Sequence, residues 1–198
     1  MPSPAAIVPD CYYHIYNRGN NRGNIFKEHR NYEYFMRQYW KHAEPIADTF
    51  AYCLLMNHFH ILIRTKPAEI LERIPRGHKP GLILGNFFNG YAKAINKAYN
   101  RTGSLFENPF ERRPVLSLAH LQNLVCYIHR NPQRHGIVPD FRQYSYSSYP
   151  LFIQDNPTPL KTKTVLDWFG GYDNFYIAHR ERINPDHFDV PVEPELWS

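Results

Sequence analysis

The hydrophobic and polar positions change period several times along the chain. CYYHIYNRG, residues 11–19, is rich in β-formers and ends in Asn-Arg-Gly, which predicts a strand running into a turn. In NYEYFMRQYWKHAEP, Tyr32, Phe35, Met36 and Tyr39 recur at helical spacing, and Pro45 forbids continuation much beyond His42. TFAYCLL (49–55) and HFHILIRT (58–65) read as apolar strands separated by Met56-Asn57, a gap of hairpin length. The stretch KPAEILERIPRGHKPG that follows, with its prolines and glycines, reads as an irregular connection.

From Leu82 to Arg101 the residues Leu84, Phe87, Phe88, Tyr91, Ile95 and Tyr99 recur at i, i+3 and i+4, with Lys93, Asn96, Lys97 and Arg101 elsewhere around the helix. GSLFENPFERRPVL supplies a short strand that Pro109 and Pro114 push toward a sheet edge. In SLAHLQNLVCYIHRNP, Ser117 is an N-cap, and Leu118, Leu121, Val125 and Ile128 form the stripe expected to be buried. The Asn131-Pro132 step should end that helix, because proline disfavours the α conformation in the residue before it. One further helix is expected near TKTVLDWFGGYDNF.

Strand, helix, strand, strand, helix, strand is the order of a ferredoxin-like (RRM-like) α+β sandwich: an antiparallel sheet with helices on one face and the other face available. The helix over 118–131 is an addition packed beside that sheet. The 198 residues, 43% hydrophobic, suit a single domain, with a core over about 10–150 and a C-terminal extension over about 151–198.

Charge and aromatic content add to this frame. A formal charge of +5 accompanies 15 Tyr, 13 Phe and 3 Trp, which suits nucleic acid: cations neutralise phosphates and flat rings stack on unpaired bases. A mildly basic protein with an aromatic core has the same composition. Cys11, Cys53 and Cys126 lie far apart without a CxxC pair, which argues against a disulfide framework and for a reducing, cytoplasmic setting. MPSPAAIVPD lacks a basic n-region and an apolar h-region, and no apolar run approaches the ~20 residues that span a bilayer, so no membrane association is expected.

The candidate chemistry begins at NHFHILI. In a strand, His58 and His60 project from one face while Phe59 and Ile61 project from the other. Alone, such a pair is either a metal site or two ordinary strand residues. Tyr127 and Asn131, at i and i+4, project together from one flank of their helix, beside the apolar stripe. A tyrosine with a free pKa of about 10 is a poor nucleophile unless a cation stabilises its phenolate or polarises its target. A metal on His58 and His60, with the Asn131 carboxamide oxygen as third ligand, would do so for a phosphodiester. Two imidazoles and one amide suit Mn²⁺ or Mg²⁺.

Several ordered motifs carry a family resemblance: YHIYNRGNNRGNIF, AYCLLMNHFHILI, YAKAINKAYNRTGSLFENPF, CYIHRNPQRHGIV and YSYSSY (144–149). Across about residues 10–180 the chain resembles the IS200/IS605-type tyrosine transposases of the HUH nuclease group, and especially the REP-associated tyrosine transposases. The resemblance implies a metal-dependent endonuclease and strand transferase acting on single-stranded or hairpin DNA, working as a monomer or a homodimer. It makes Tyr127 the nucleophile of a 5′-phosphotyrosine link, His58 and His60 the metal pair, and Asn131 the auxiliary ligand where the insertion-sequence enzymes often have glutamine. Hairpin recognition would fall partly on Asn17, Arg18, Arg22, Lys93, Lys97, Arg112 and Arg113, each of which is otherwise a solvated polar group. His120, His129 and His135 are expected to be surface residues.

Three other readings fit the same residues. A transposase-derived protein could bind single-stranded nucleic acid as a regulator without cutting it. His58 and His60 could hold Zn²⁺ and activate water, leaving Tyr127 structural. Or the histidines and Tyr127 could all be structural.

Overall fold

The computed structural model describes residues 6–74, 79–107, 109–154 and 157–180. Strand β1 (Tyr12–Arg18) leads into helix α1 (His29–Ala43), and β2 (Ala47–Leu55) and β3 (His58–Thr65) form a hairpin. The short helix α2 (Ala68–Leu71) precedes α3 (Pro80–Ala98), β4 (Glu111–Val115) and α4 (Leu118–Arg134), and α5 (Thr162–Phe169) and α6 (Tyr172–Arg180) complete the described chain. The sheet is antiparallel in the order β2-β3-β1-β4. This is the expected α+β sandwich, with the proline-bearing β4 at an edge.

Alternation along the strands sorts the side chains into two layers. Tyr13, Ile15, Phe59, Ile61 and Ile63 face α1 and α3, where Phe35 meets Phe87 and Tyr91 at ring separations of 4.9 and 5.0 Å. On the other face, Ala51, Cys53, Leu55 and Leu62 pack with Leu121, Leu124, Val125 and Ile128 of α4. The pairing of β2 with β3 shifts register between Thr49 and Ala51. This bulge turns Phe50 onto the α4 side, where its ring stacks on Trp168 at 4.9 Å.

The second sheet face is therefore partly covered rather than left available. Besides α4, side chains from 141–152 and 165–178 pack on it, and the YSYSSY segment lies along the β2 edge. Leu54 N–H donates to the Tyr146 carbonyl at 2.9 Å, Tyr52 N–H to Ser148 Oγ at 2.8 Å, and Ser148 N–H to the Tyr52 carbonyl at 2.9 Å. These bonds satisfy an edge that would otherwise present a row of unpaired backbone groups.

Several local expectations change. Helix α4 passes through Pro132 to Arg134 instead of ending at Asn131. Proline in a last turn removes one backbone donor, and the ladder resumes at once with His135 N–H to the Asn131 carbonyl at 3.0 Å. Leu118, assigned to the buried stripe, is 52% exposed, and Leu124 joins Leu121, Val125 and Ile128 in the stripe instead. The single helix expected over 162–175 is two, since Gly170 and Gly171 both adopt positive φ, +74° and +116°, and break it. The 66–81 connection contains α2, although residues 75–78 lie outside the described residues, as do residues 181–198 of the C-terminal extension.

Candidate active site

The central strands β1 and β3 build the site. Their antiparallel register sets Tyr16 opposite His60 and Arg18 opposite His58. His14, Tyr16 and Arg18 of β1 thus share a face with His58 and His60 of β3, the face on which α4 lies. His14 Nε2 and His60 Nδ1 are 3.0 Å apart in a buried hydrogen bond, and the two rings stack at 5.1 Å. His58 Nδ1 is held 2.7 Å from Asn57 Oδ1 in the hairpin turn.

Helix α4 delivers Tyr127 to this surface. Its half-buried ring stands edge-on to His60 at 5.4 Å and to His14 at 6.3 Å, with the Arg134 guanidinium 5.2 Å from its centroid. One turn on, Asn131 is fully buried, not on a flank outside the core as its spacing from Tyr127 suggests. Its Nδ2 donates to the Tyr127 carbonyl at 3.2 Å, and its side chain lies beside His58. Tyr127, His58, His60 and Asn131 are therefore assembled within one chain.

Burial keeps the imidazoles neutral. His14 is pushed down to about 3, first by burial and then by the Arg113 and His120 charges. Burial likewise holds His58 and His60 far below the ordinary value, reinforced for His58 by His60 and His135 and for His60 by His14 and His135. His135, expected on the surface, caps α4 half-buried, with its ring 5.2 Å from that of His58. A neutral imidazole keeps a lone pair available for a metal or a proton.

His60 Nε2 and Asn131 Oδ1 are buried without a hydrogen-bond partner. Such atoms are costly to leave unsatisfied, and a divalent cation is a partner that an imidazole nitrogen and an amide oxygen can share. Among the described residues no three His, Cys, Asp or Glu side chains converge on one point. A cation here would thus take the two imidazoles and the amide oxygen, with its other positions free for water or phosphate. In those terms the residues fit a catalytic metal.

Strand alternation also sorts the candidate DNA contacts. Arg18 and Arg113 lie on the site face: Arg18 pairs with Glu107 at 3.0 Å and bears on His58, while Arg113 lies opposite His14 with its guanidinium 5.7 Å from the Tyr16 ring centroid. Asn17 is buried on the opposite face, its Oδ1 accepting from Arg18 N–H at 2.8 Å. Arg112 points the same way, over Phe110 at 5.0 Å. Lys93 and Lys97 are exposed on α3, in the layer away from the histidines, and Arg22 is exposed in the Asn20–Arg22 turn.

Residue spacing overlooked His14, His135 and Arg134. The alternation of YYHIYNR carries the signal for His14, since β1 and β3 are adjacent in a ferredoxin-like sheet. His129, expected on the surface, is fully buried elsewhere, bonded to His179 Nε2 at 2.9 Å and Ser148 Oγ at 2.8 Å.

No family model and no curated protein matches the chain. Among solved structures, a REP-associated tyrosine transposase bound to a REP hairpin is similar at 15% identity, with a TM-score of 0.56, over 77% of this chain and 84% of that one. That likeness establishes the fold. Among the described residues no helix is long and apolar enough to cross a membrane.

Proposed function

We propose that the chain is a metal-dependent endonuclease and strand transferase for single-stranded or hairpin DNA, with Tyr127 as nucleophile. The observation that carries this reading is the ring of Tyr127 set against His60, 5.4 Å away, beside His58 and the unsatisfied Asn131 oxygen. The structural neighbour is a tyrosine transposase bound to a DNA hairpin, and its likeness in fold supports the same substrate class here.

In the reaction, Tyr127 Oη forms a bond to the phosphorus and the bond to the 3′-oxygen breaks. The phenolic proton is released, and the departing 3′-oxygen takes one up. The phosphodiester energy is kept in the phosphotyrosine, so a 3′-OH can attack it and rejoin strands by the reverse step. His58, His60 and Asn131 would hold Mg²⁺ or Mn²⁺, which when bound supplies Lewis-acid polarisation of the phosphate. Arg18, Arg113 and Arg134 set positive charge around the approaching backbone.

Incubation of labelled hairpin DNA bearing an unpaired 5′ tail, with Mn²⁺ or with EDTA, tests this on a denaturing gel. The expected product is a protein-linked band with Mn²⁺ and none with EDTA. Metal-dependent cleavage without a linked band would favour water as the nucleophile, and tight binding without cleavage would favour a regulator.

A further inference from the structure

We infer that His14 is a positioning residue that fixes the proton of His60 on Nδ1, so that the His60 Nε2 lone pair faces the site. The inference rests on the metal-dependent reading above and extends it to a residue outside the metal set. A neutral imidazole has one N–H and one lone pair. In the 3.0 Å bond between His14 Nε2 and His60 Nδ1, one nitrogen donates and the other accepts. If His14 donates, the His60 proton sits on Nε2, and a buried N–H is left without an acceptor. If His60 donates, the buried Nε2 is a lone pair instead.

Two considerations select the second arrangement. Orphaned buried N–H donors are rarer than undersatisfied acceptors in folded proteins. And only a lone pair at Nε2 can bind a cation, the usual pattern being that a ligating imidazole donates its other N–H to a fixed acceptor. His14 is a well-anchored acceptor: β1 is hydrogen-bonded to β3 on one side and β4 on the other, and the ring is sandwiched between Tyr16 at 4.8 Å and His60 at 5.1 Å.

Long-range ¹⁵N spectra of histidine-labelled, metal-free protein read the tautomer directly, with His60→Asn used to assign the signal. His60 is expected to be protonated at Nδ1. Calorimetric titration with Mn²⁺ supplies the second readout: His14→Phe should weaken binding about 10–100-fold, and His14→Gln, whose amide oxygen can take the His60 proton, should restore most of it. A His60 protonated at Nε2, or unchanged Mn²⁺ affinity in folded His14→Phe, overturns the role of His14 and leaves the nuclease reading standing. Wild-type protein that binds no Mn²⁺ overturns both. If His14→Phe does not fold, the wild-type spectrum decides.

Discussion

Acidification from pH 7.5 to 5 should destabilise the protein, in part through one buried pair on the α4 side of the sheet. His129 on α4 and His179 on α6 share a 2.9 Å hydrogen bond; His129 also meets Ser148 Oγ, and His179 Nδ1 meets the Phe175 carbonyl at 2.7 Å. Among the described residues the charged side chain bearing on His179 is Arg130, and Cys126 lies 3.7 Å away as a thiol whose pKa burial pushes up to about 12. Burial lowers His179 to about 4 and His129 well below its ordinary value. An unfolded histidine titrates near 6.5, so below that pH the unfolded chain binds protons that the native pair refuses. The pair's contribution is thus complete above about pH 6.5 and declines as pH falls toward the folded values, by about 1.4 kcal/mol per pH unit for each ring. At pH 5 this is about 2 kcal/mol from His179 and a similar amount from His129, against a total stability of roughly 5–15 kcal/mol for a domain. Urea unfolding at several pH values, in wild type and in His179→Leu, measures it. The variant is less stable throughout, but its stability should fall less steeply below pH 6.5, by the slope of about one proton. Equal slopes in the two proteins would show that the pair does not couple folding to protons.

Three further outcomes follow from single positions. Phe35→Ala, at the centre of the aromatic cluster on the α1 side, should cost about 3–5 kcal/mol in urea unfolding. A Cβ at Gly19 would stand 1.8 Å from the Gly23 carbonyl oxygen, so Gly19→Ala must displace the turn after β1 and should cost about 1–3 kcal/mol by the same assay. Arg113→Ala, on the site face, should weaken hairpin binding and lower the salt slope of the affinity by about 1, whereas Lys93→Ala in the opposite layer should change neither.

The strand and helix order was legible because the apolar residues keep one period within each element: two along 58–65, about 3.6 along 82–98. The His58 and His60 face followed from that same alternation, and the edge position of β4 from its Pro114, which cannot donate to a ladder. What escaped depends on partners distant in sequence. His14 gains its meaning only when β1 pairs with β3, 46 residues on. His129 looks like a surface helix residue until Ser148 and His179 close over it. Asn131 is drawn inward by the carbonyl of Tyr127 and the ring of His58, contacts that helical spacing alone does not reveal. Pro132 marks a helix end by local rule, but the ladder needs only one bond fewer to continue past it.

The proposed reaction joins Tyr127 itself to DNA. Proteolysis of the protein after reaction with hairpin DNA and Mn²⁺, followed by mass spectrometry of the peptide containing residue 127, tests it most directly. A nucleotide joined through phosphate to Tyr127, absent from Tyr127→Phe, is the expected product; cleaved DNA with a free 5′-phosphate and an unmodified Tyr127 peptide would rule out tyrosine as the nucleophile.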